Sequence, residues 1–325
     1  MHWKTNRLLH LTNKKLNTSV DPKPSETHFG QHLSRAGHFI RAAFTAGPAT
    51  LWLVVLLLVP LAAIGAISFM SRGDYGEIEL PFTIENYKRL LGFGMLGFDS
   101  LYPIILFRSL TLGIGTALAC VITGLPLAFF IARLPARFKT PALTLVVIPF
   151  WTNLLIRTYA WQILLAPESW ITQFVHAIGI GKVDEPLQPS TFAVGIGMIC
   201  DYLPFLVLPL YTSVEKLDWS LAEAAMDLGA NRIQVFRHAL LPQIMPGLFA
   251  GMILVLLPAT GQFVIPDLLG GAKTVMLGNA IQQQFGQSRD WPFGSAIAFV
   301  ALGLVMMGLW LYARKSQGKG EPTLL

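Results

Sequence analysis

The sequence predicts an all-α integral membrane protein with six transmembrane helices. Of its 325 residues, 53% are hydrophobic and only 13% are charged, whereas a soluble domain carries about a quarter charged residues. Several apolar runs reach the ~20 residues that a helix needs to cross a bilayer. These runs, such as LWLVVLLLVPLAAIGAI, are continuous. They lack the alternation of apolar and polar residues that is typical of a membrane β-barrel.

The six spans follow one another in a single membrane domain, 48–315, with a polar and basic leader at 1–47 and a short tail at 316–325. The predicted limits of the spans are 48–70, 108–132, 142–166, 190–212, 244–268 and 292–313. Cys120 and Cys200 both fall inside spans, and their positions predict no disulfide framework.

Two of the connecting loops are long enough to fold. The loop 71–107 contains FTIENYKRLLG, which predicts a short amphipathic helix that opens after Pro81. The loop 167–189 contains SWITQFVHAIGIG, which predicts a second helix lying at the membrane interface.

Lysine and arginine are distributed unequally between the two sides of the predicted membrane domain. The leader, the loops 133–140 and 213–243, and the residues after 313 hold 16 of the 24 basic residues, and the alternate loops hold six. The richer side of a multi-pass protein faces the cytoplasm. Both termini and the segment 213–243 are therefore predicted to be cytoplasmic. The net charge of +6 reflects this topology and gives no reason to expect a nucleic-acid partner.

The segment between the fourth and fifth spans holds the most specific motif, EAAMDLGANRIQVFRHALLP, which starts at Glu223. Ser220 and Glu223 have the spacing of a capping box, which predicts a helix directly after Ser220. Gly229 lies where a left-handed C-terminal cap is expected. Asn231 is expected to cap a second helix, which Pro242 would close. The sequence therefore predicts two short helices joined by a sharp bend.

This segment resembles the EAA loop of ABC importer permeases. Ala239 is a departure, since the family usually has isoleucine there. Other stretches look like the spermidine/putrescine permease subfamily, and the resemblance covers most of 48–313: FTIENYKRLL, PFWTNLLIRTYAW, LPLYTSVEKLD, DLLGGAK and RDWPFG. The residues that match the EAA loop are Glu223, Ala224, Ala225, Gly229, Leu241 and Pro242.

The resemblance implies a type I ABC importer permease in the plasma (inner) membrane of a bacterium. Such a permease pairs with a second permease subunit, binds a dimer of cytosolic ATPase subunits, and receives substrate from an extracytoplasmic binding protein. The helix 221–228 would be the coupling helix that enters a cleft of the ATPase. The chain lacks a G-x-x-x-x-G-K-[ST] loop. We therefore expect the partner to use the ATP, and this chain to bind no cofactor and no metal.

Four residues inside the spans are candidates for the substrate path: Asp201, Tyr202, Trp151 and Tyr159. An ionisable group at the bilayer centre costs on the order of 3 kcal/mol on insertion scales, so Asp201 requires an explanation. It either meets a cationic substrate, with Tyr202 adding an aromatic face, or pairs with Arg157 of the third span. Trp151 and Tyr159 either line the path or belong to the core and the interfacial belt.

The predicted function is uptake of putrescine or spermidine by an ATP-driven importer. The outer loops carry nine acidic residues against six basic ones, a balance that attracts a cation. A permease for ferric iron, an opine or a similar solute is the alternative, because it would share the architecture. An ion-coupled secondary carrier would need no docking loop. A membrane-embedded enzyme is disfavoured, since the sequence has no H-E-x-x-H, G-x-S-x-G or paired-carboxylate motif.

Overall fold

The computed structural model describes residues 28–73, 76–94, 97–177, 186–271 and 274–317. The chain divides into two compact units, residues 1–61 and 62–325. The helices are α1 (His28–Ser68), α2 (Glu85–Leu90), α3 (Leu101–Arg133), α4 (Ala136–Trp151), α5 (Leu154–Leu164), α6 (Trp170–Ala177), α7 (Thr191–Glu215), α8 (Trp219–Asp227), α9 (Arg232–Val235), a π-helical turn (Phe236–Leu240), α10 (Leu241–Thr260), α11 (Val264–Gly270), α12 (Leu277–Gly286) and α13 (Trp291–Gln317).

Two very short antiparallel hairpins lie in the loop between α1 and α3. In the first, β1 (Ser71–Arg72) pairs with β2 (Ile78–Glu79). In the second, β3 (Phe93–Gly94) pairs with β4 (Gly97–Phe98). The sequence did not predict these hairpins. Each strand has only two residues, which is too short for an alternating pattern to be recognised.

Five helices among the described residues are long and apolar enough to cross a membrane, and the bent pair α4 and α5 brings the number to six. The all-α membrane fold predicted from the sequence is confirmed. Helix α1 begins at His28, and its apolar part is Thr50–Ser68. Residues 1–27 and 318–325, which include most of the predicted leader and tail, lie outside the described residues.

The third predicted span is broken rather than continuous. Helices α4 and α5 meet at an angle of 91°. Thr152 and Asn153 between them have extended backbone, with ψ angles of 151° and 134°. The side-chain oxygen of Asn153 accepts a hydrogen bond of 2.8 Å from the N–H of Leu155 and caps α5. A new helix therefore starts in the middle of the predicted span.

The fifth span also differs from the prediction at both ends. The apolar helix runs from Arg232 to Thr260, and α11 is a separate helix beyond it.

The prediction that Pro242 closes the second loop helix is wrong. The N–H of Leu241 donates to the carbonyl of Phe236, five residues back, which widens this turn into a π-bulge. Pro242 follows directly after this bulge, which accommodates its ring, so the helical run continues into α10.

Helix α7 lies at the centre of the larger unit and packs against both α3 and α10, which also contact each other. Its buried side chains include Leu206, Val207 and Leu210, which have no exposed surface. The backbones of α7 and α10 approach closely at Gly251, where a Cβ atom would lie 3.0 Å from the carbonyl oxygen of Leu206. A small residue is required at such an approach. Close packing therefore fixes the position of α7, which carries the polar residues of the fourth span.

The two predicted interfacial helices are present as α2 and α6. Helix α2 is attached to the start of α13 by an ion pair of 2.8 Å between Arg89 and Asp290. The Asp290 carboxylate is only 2% exposed, and it also accepts a hydrogen bond from the N–H of Phe293. The part of the predicted second loop at 178–185 lies outside the described residues.

Candidate functional site

The loop between α7 and α10 forms two helical pieces and a bend, as predicted, but its first cap is different. Asp218, not Ser220, caps α8. The Asp218 carboxylate accepts hydrogen bonds from the Ser220 hydroxyl at 2.7 Å and the Ser220 N–H at 3.0 Å. These bonds lower the pKa of Asp218. The predicted capping box of Ser220 with Glu223 is wrong, because the Ser220 hydroxyl is already engaged with Asp218.

The bend after α8 has the geometry that the sequence predicted. Gly229 has a φ of +82°, in the left-handed region. Its N–H donates to the carbonyl of Met226 at 2.9 Å, and the N–H of Ala230 donates to the carbonyl of Ala225 at 3.0 Å. This pair of bonds is the Schellman arrangement that ends many helices. The left-handed cap at Gly229 is therefore confirmed.

The second loop helix begins at the predicted cap. The side chain of Asn231 accepts from the N–H of Gln234, and the side chain of Gln234 accepts from the N–H of Asn231, both at 2.9 Å. Two backbone donors at the start of the helix are thereby satisfied by this capping box. The bend is fixed by local hydrogen bonds on both of its sides.

The residues that match the EAA loop differ in their exposure to solvent. Glu223, Ala224 and Pro242 are exposed, and Ala225 and Leu241 are half-buried. Two large apolar side chains next to the bend are also exposed, Leu228 at 89% and Ile233 at 77%. Sequence reasoning missed this pair. The signal was available, since each is a large apolar residue within four positions of Gly229, in a segment placed outside the membrane.

Two contacts attach the loop to the membrane helices, and a third joins α4 to the end of α7, where the loop begins. The guanidinium of Arg133, at the end of α3, lies 5.5 Å from the centre of the Trp219 ring in α8. Lys139 of α4 forms an ion pair of 3.1 Å with Glu215 at the end of α7. The N–H of Asp218 donates to the side chain of Gln243 in α10 at 3.0 Å.

A second group of polar residues lies inside the spans, around the break between α4 and α5. Arg157 of α5 donates from Nη2 to Oδ1 of Asp201 in α7. Its Nη1 also donates to the carbonyl oxygen of Pro149 at 2.5 Å. The side chains of Arg157 and Asp201 are only 13% and 7% exposed. Of the two interpretations of Asp201, the structure shows the ion pair.

Tyr202 is buried, and its hydroxyl joins α7 to α10. The hydroxyl donates to the carbonyl of Pro258 at 3.3 Å and accepts from Nε2 of Gln262 at 3.0 Å. The Oε1 of Gln262 accepts from the N–H groups of Phe263 and Val264, at the start of α11. Tyr202 as a whole is only 5% exposed. It therefore offers no open aromatic face in this structure. Gln262, which sequence reasoning missed, connects Tyr202 to α11.

The other two predicted path residues are on the surface of this chain. Trp151, the last residue of α4, is 75% exposed, and Tyr159 of α5 is 50% exposed. Both flank the break that Arg157 bridges. In the described part of the chain, no three His, Cys, Asp or Glu side chains come together as metal ligands.

Comparison with known proteins gives one consistent family. Residues 124–316 match the family described as "Binding-protein-dependent transport system inner membrane component". The chain is 41% identical over 277 residues to the spermidine/putrescine transport system permease protein PotB of Escherichia coli, which covers 83% of this chain and 97% of that protein. PotB of Haemophilus influenzae is 39% identical over 266 residues, with 82% of this chain and 91% of the relative covered.

Solved structures show the same fold at low sequence identity. A bacterial ABC transporter that imports alginate, an acidic polysaccharide, aligns with a TM-score of 0.61 at 17% identity, over 88% of this chain and 98% of that one. An alginate transporter in complex with its pentasaccharide-bound periplasmic protein aligns with a TM-score of 0.63 at 14% identity, over 90% and 99% of the two chains. The chain therefore belongs to the family of inner membrane components of binding-protein-dependent transport systems, the permeases of ABC importers.

Proposed function

We propose that this chain is a permease subunit of an importer for polyamines such as putrescine and spermidine. The observation that carries the proposal is 41% identity to a spermidine/putrescine permease, over 83% of this chain and nearly all of the relative. The acidic excess of the outer loops also favours a cationic substrate. The chain would lie in the plasma (inner) membrane of a bacterium, with both termini and the 213–243 segment in the cytoplasm.

Helix α8 and the bend at Gly229 would couple this subunit to a partner ATPase. The sequence has no phosphate-binding loop of its own, so ATP would have to be hydrolysed in another subunit. Leu228 and Ile233 offer apolar side chains at the bend, the kind of exposed surface that marks a protein contact. The further partners are a second permease subunit, a second copy of the ATPase, and a binding protein on the outer side.

The substrate path would run beside the break between α4 and α5. Trp151 and Tyr159 are exposed there and present aromatic rings, to which ammonium groups bind through cation–π contacts. Asp201 is ion-paired with Arg157 of α5 and supplies a carboxylate at this break. Tyr202 would act indirectly, because the hydrogen bonds of its hydroxyl position α7 against α10.

Uptake of labelled solutes by the reconstituted importer tests this proposal. Proteoliposomes containing both permeases and the ATPase subunits would receive the binding protein outside and ATP inside. We expect uptake of putrescine or spermidine that stops when ATP is omitted. Transport of ferric iron or an opine, without polyamines, would assign the chain to another substrate class. Uptake driven by an ion gradient in the absence of ATP would identify a secondary carrier.

A further inference from the structure

The guanidinium of Arg157 lies among four oxygen atoms where the third span breaks. Its Nη2 donates to Oδ1 of Asp201 in α7. Its Nη1 lies 2.5 Å from the carbonyl oxygen of Pro149. The same nitrogen lies 3.4 Å from the hydroxyl oxygen and 3.5 Å from the carbonyl oxygen of Thr152. These four oxygen atoms are called the oxygen cage below.

Every atom of the oxygen cage accepts hydrogen bonds, and one of them belongs to a carboxylate. Such a set selects a cation with several donors over a neutral or anionic group. An alkylammonium group carries three donors on a compact charge, so it is suited to the same acceptors as the guanidinium. Two cations within a few ångströms repel each other strongly when they are shielded from water. An ammonium group would therefore enter only if Arg157 leaves.

The surface beside the oxygen cage is unsuited to lipid. Thr152 and Asn153 interrupt the helix with extended backbone, and both residues are exposed. Lipid-exposed breaks of this kind do not occur in the hydrocarbon region, where irregular backbone is buried in protein or lines a water-filled cavity. The exposed rings of Trp151 and Tyr159 belong to the two helices that meet at this break. A cation that travels through an aqueous cavity here would reach the cage.

We propose that the oxygen cage is an ammonium site for the transported amine and that Arg157 is a placeholder which the substrate displaces. This inference rests on the proposed polyamine function. The exchange brings in one cation as another leaves, so Asp201 is not left as an uncompensated buried charge. It also removes the guanidinium from Pro149 and Thr152. Binding of the amine is thereby linked to the joint between α4 and α5.

Thermal unfolding of the purified complex, with and without putrescine, tests the exchange. Arg157→Gln empties the cage but leaves the carboxylate. We expect a lower melting temperature than that of the unaltered complex, and a larger upward shift when putrescine is added. Arg157→Gln combined with Asp201→Asn should recover stability and lose this extra shift. Lys139→Gln is the matched control, because it removes a cation from Glu215, outside the cage. Putrescine should raise the melting temperature of this control by the same amount as that of the unaltered complex.

Initial uptake of labelled putrescine into proteoliposomes is the second measurement. The double variant pairs two neutral side chains, so we expect it to assemble. Its uptake should fall by about tenfold or more, since a charge-assisted contact to the substrate is lost. If Arg157→Gln alone does not assemble, uptake by the double variant decides whether the oxygen cage binds the amine.

Two results would overturn the placeholder inference. One is a double variant that transports putrescine at the unaltered rate. The other is an assembled Arg157→Gln complex that putrescine stabilises no more than it stabilises the unaltered complex. If the unaltered complex takes up no polyamine at all, the proposed substrate class fails instead. The two failures are therefore distinguishable.

Discussion

Substitution of Gly229 tests whether the bend after α8 couples the permease to its ATPase. A Cβ atom at this position would meet no other atom within 4 Å, so a larger side chain would cause no clash with its surroundings. The cost comes from the backbone alone, because φ is +82°. A left-handed conformation costs an ordinary residue about 1–2 kcal/mol, and a β-branched residue more. If docking requires the native bend, association with the ATPase should weaken by about 5–30-fold for Gly229→Ala.

A graded series separates this backbone effect from other causes. Asn tolerates left-handed backbone, so Gly229→Asn should lose least, Gly229→Ala more, and Gly229→Val most. Co-purification of the ATPase and ATP-dependent uptake are measured for each variant, with membrane insertion as the check on folding. Gly303→Val in α13 is the control, since that position also has open space but lies in an ordinary helix. Normal association and uptake by Gly229→Val would refute the coupling role of the bend.

Two further predictions concern the orientation and the surface of the loop. Single cysteines introduced at positions 137, 228 and 318 of a cysteine-free chain should react with an impermeant thiol reagent only after the membrane is permeabilised. Labelling of position 228 in intact cells would reverse the proposed topology. Glu223 is exposed and makes no side-chain hydrogen bond within the described residues, whereas Asp218 caps α8. Glu223→Ala should therefore leave hydrogen-exchange protection of α8 unchanged, and any loss of uptake then reports contact with the ATPase. Asp218→Ala should reduce this protection, and equal protection in both variants would contradict the assigned cap.

Hydropathy was sufficient for the presence of the apolar spans, although not for the course of the third or the limits of the fifth, and motif spacing was sufficient for the bend. Continuous apolar runs require only that the bilayer excludes polar groups, and Gly229 is favoured because left-handed backbone penalises most other residues, with asparagine the mildest case. The first cap could not be assigned in this way. Asp218 and Ser220 are both good capping residues, two positions apart. The choice depends on which oxygen reaches the free N–H groups, and the structure gives that role to Asp218.

The break in the third span was missed because hydropathy is averaged over a window longer than the break. Asn153 was a local signal, since asparagine commonly caps helices, but its neighbours are apolar enough to continue a span. The pairing of Arg157 with Asp201 joins residues 44 positions apart. Such a contact depends on how α5 packs against α7. The sequence could therefore offer pairing and substrate contact only as alternatives.

The π-bulge before Pro242 allows one continuous helix to connect the loop to the polar residues inside the spans. Without it, the proline ring would collide with the preceding turn and end the loop helix, as the sequence predicted. With it, the helical run continues from Arg232 to Thr260, 29 residues or about 43 Å at 1.5 Å per residue. The beginning of this run forms the bend with α8. Near its other end, the carbonyl of Pro258 accepts from the Tyr202 hydroxyl. A displacement of the loop by an ATPase would therefore be carried along one helix to the residue that follows Asp201.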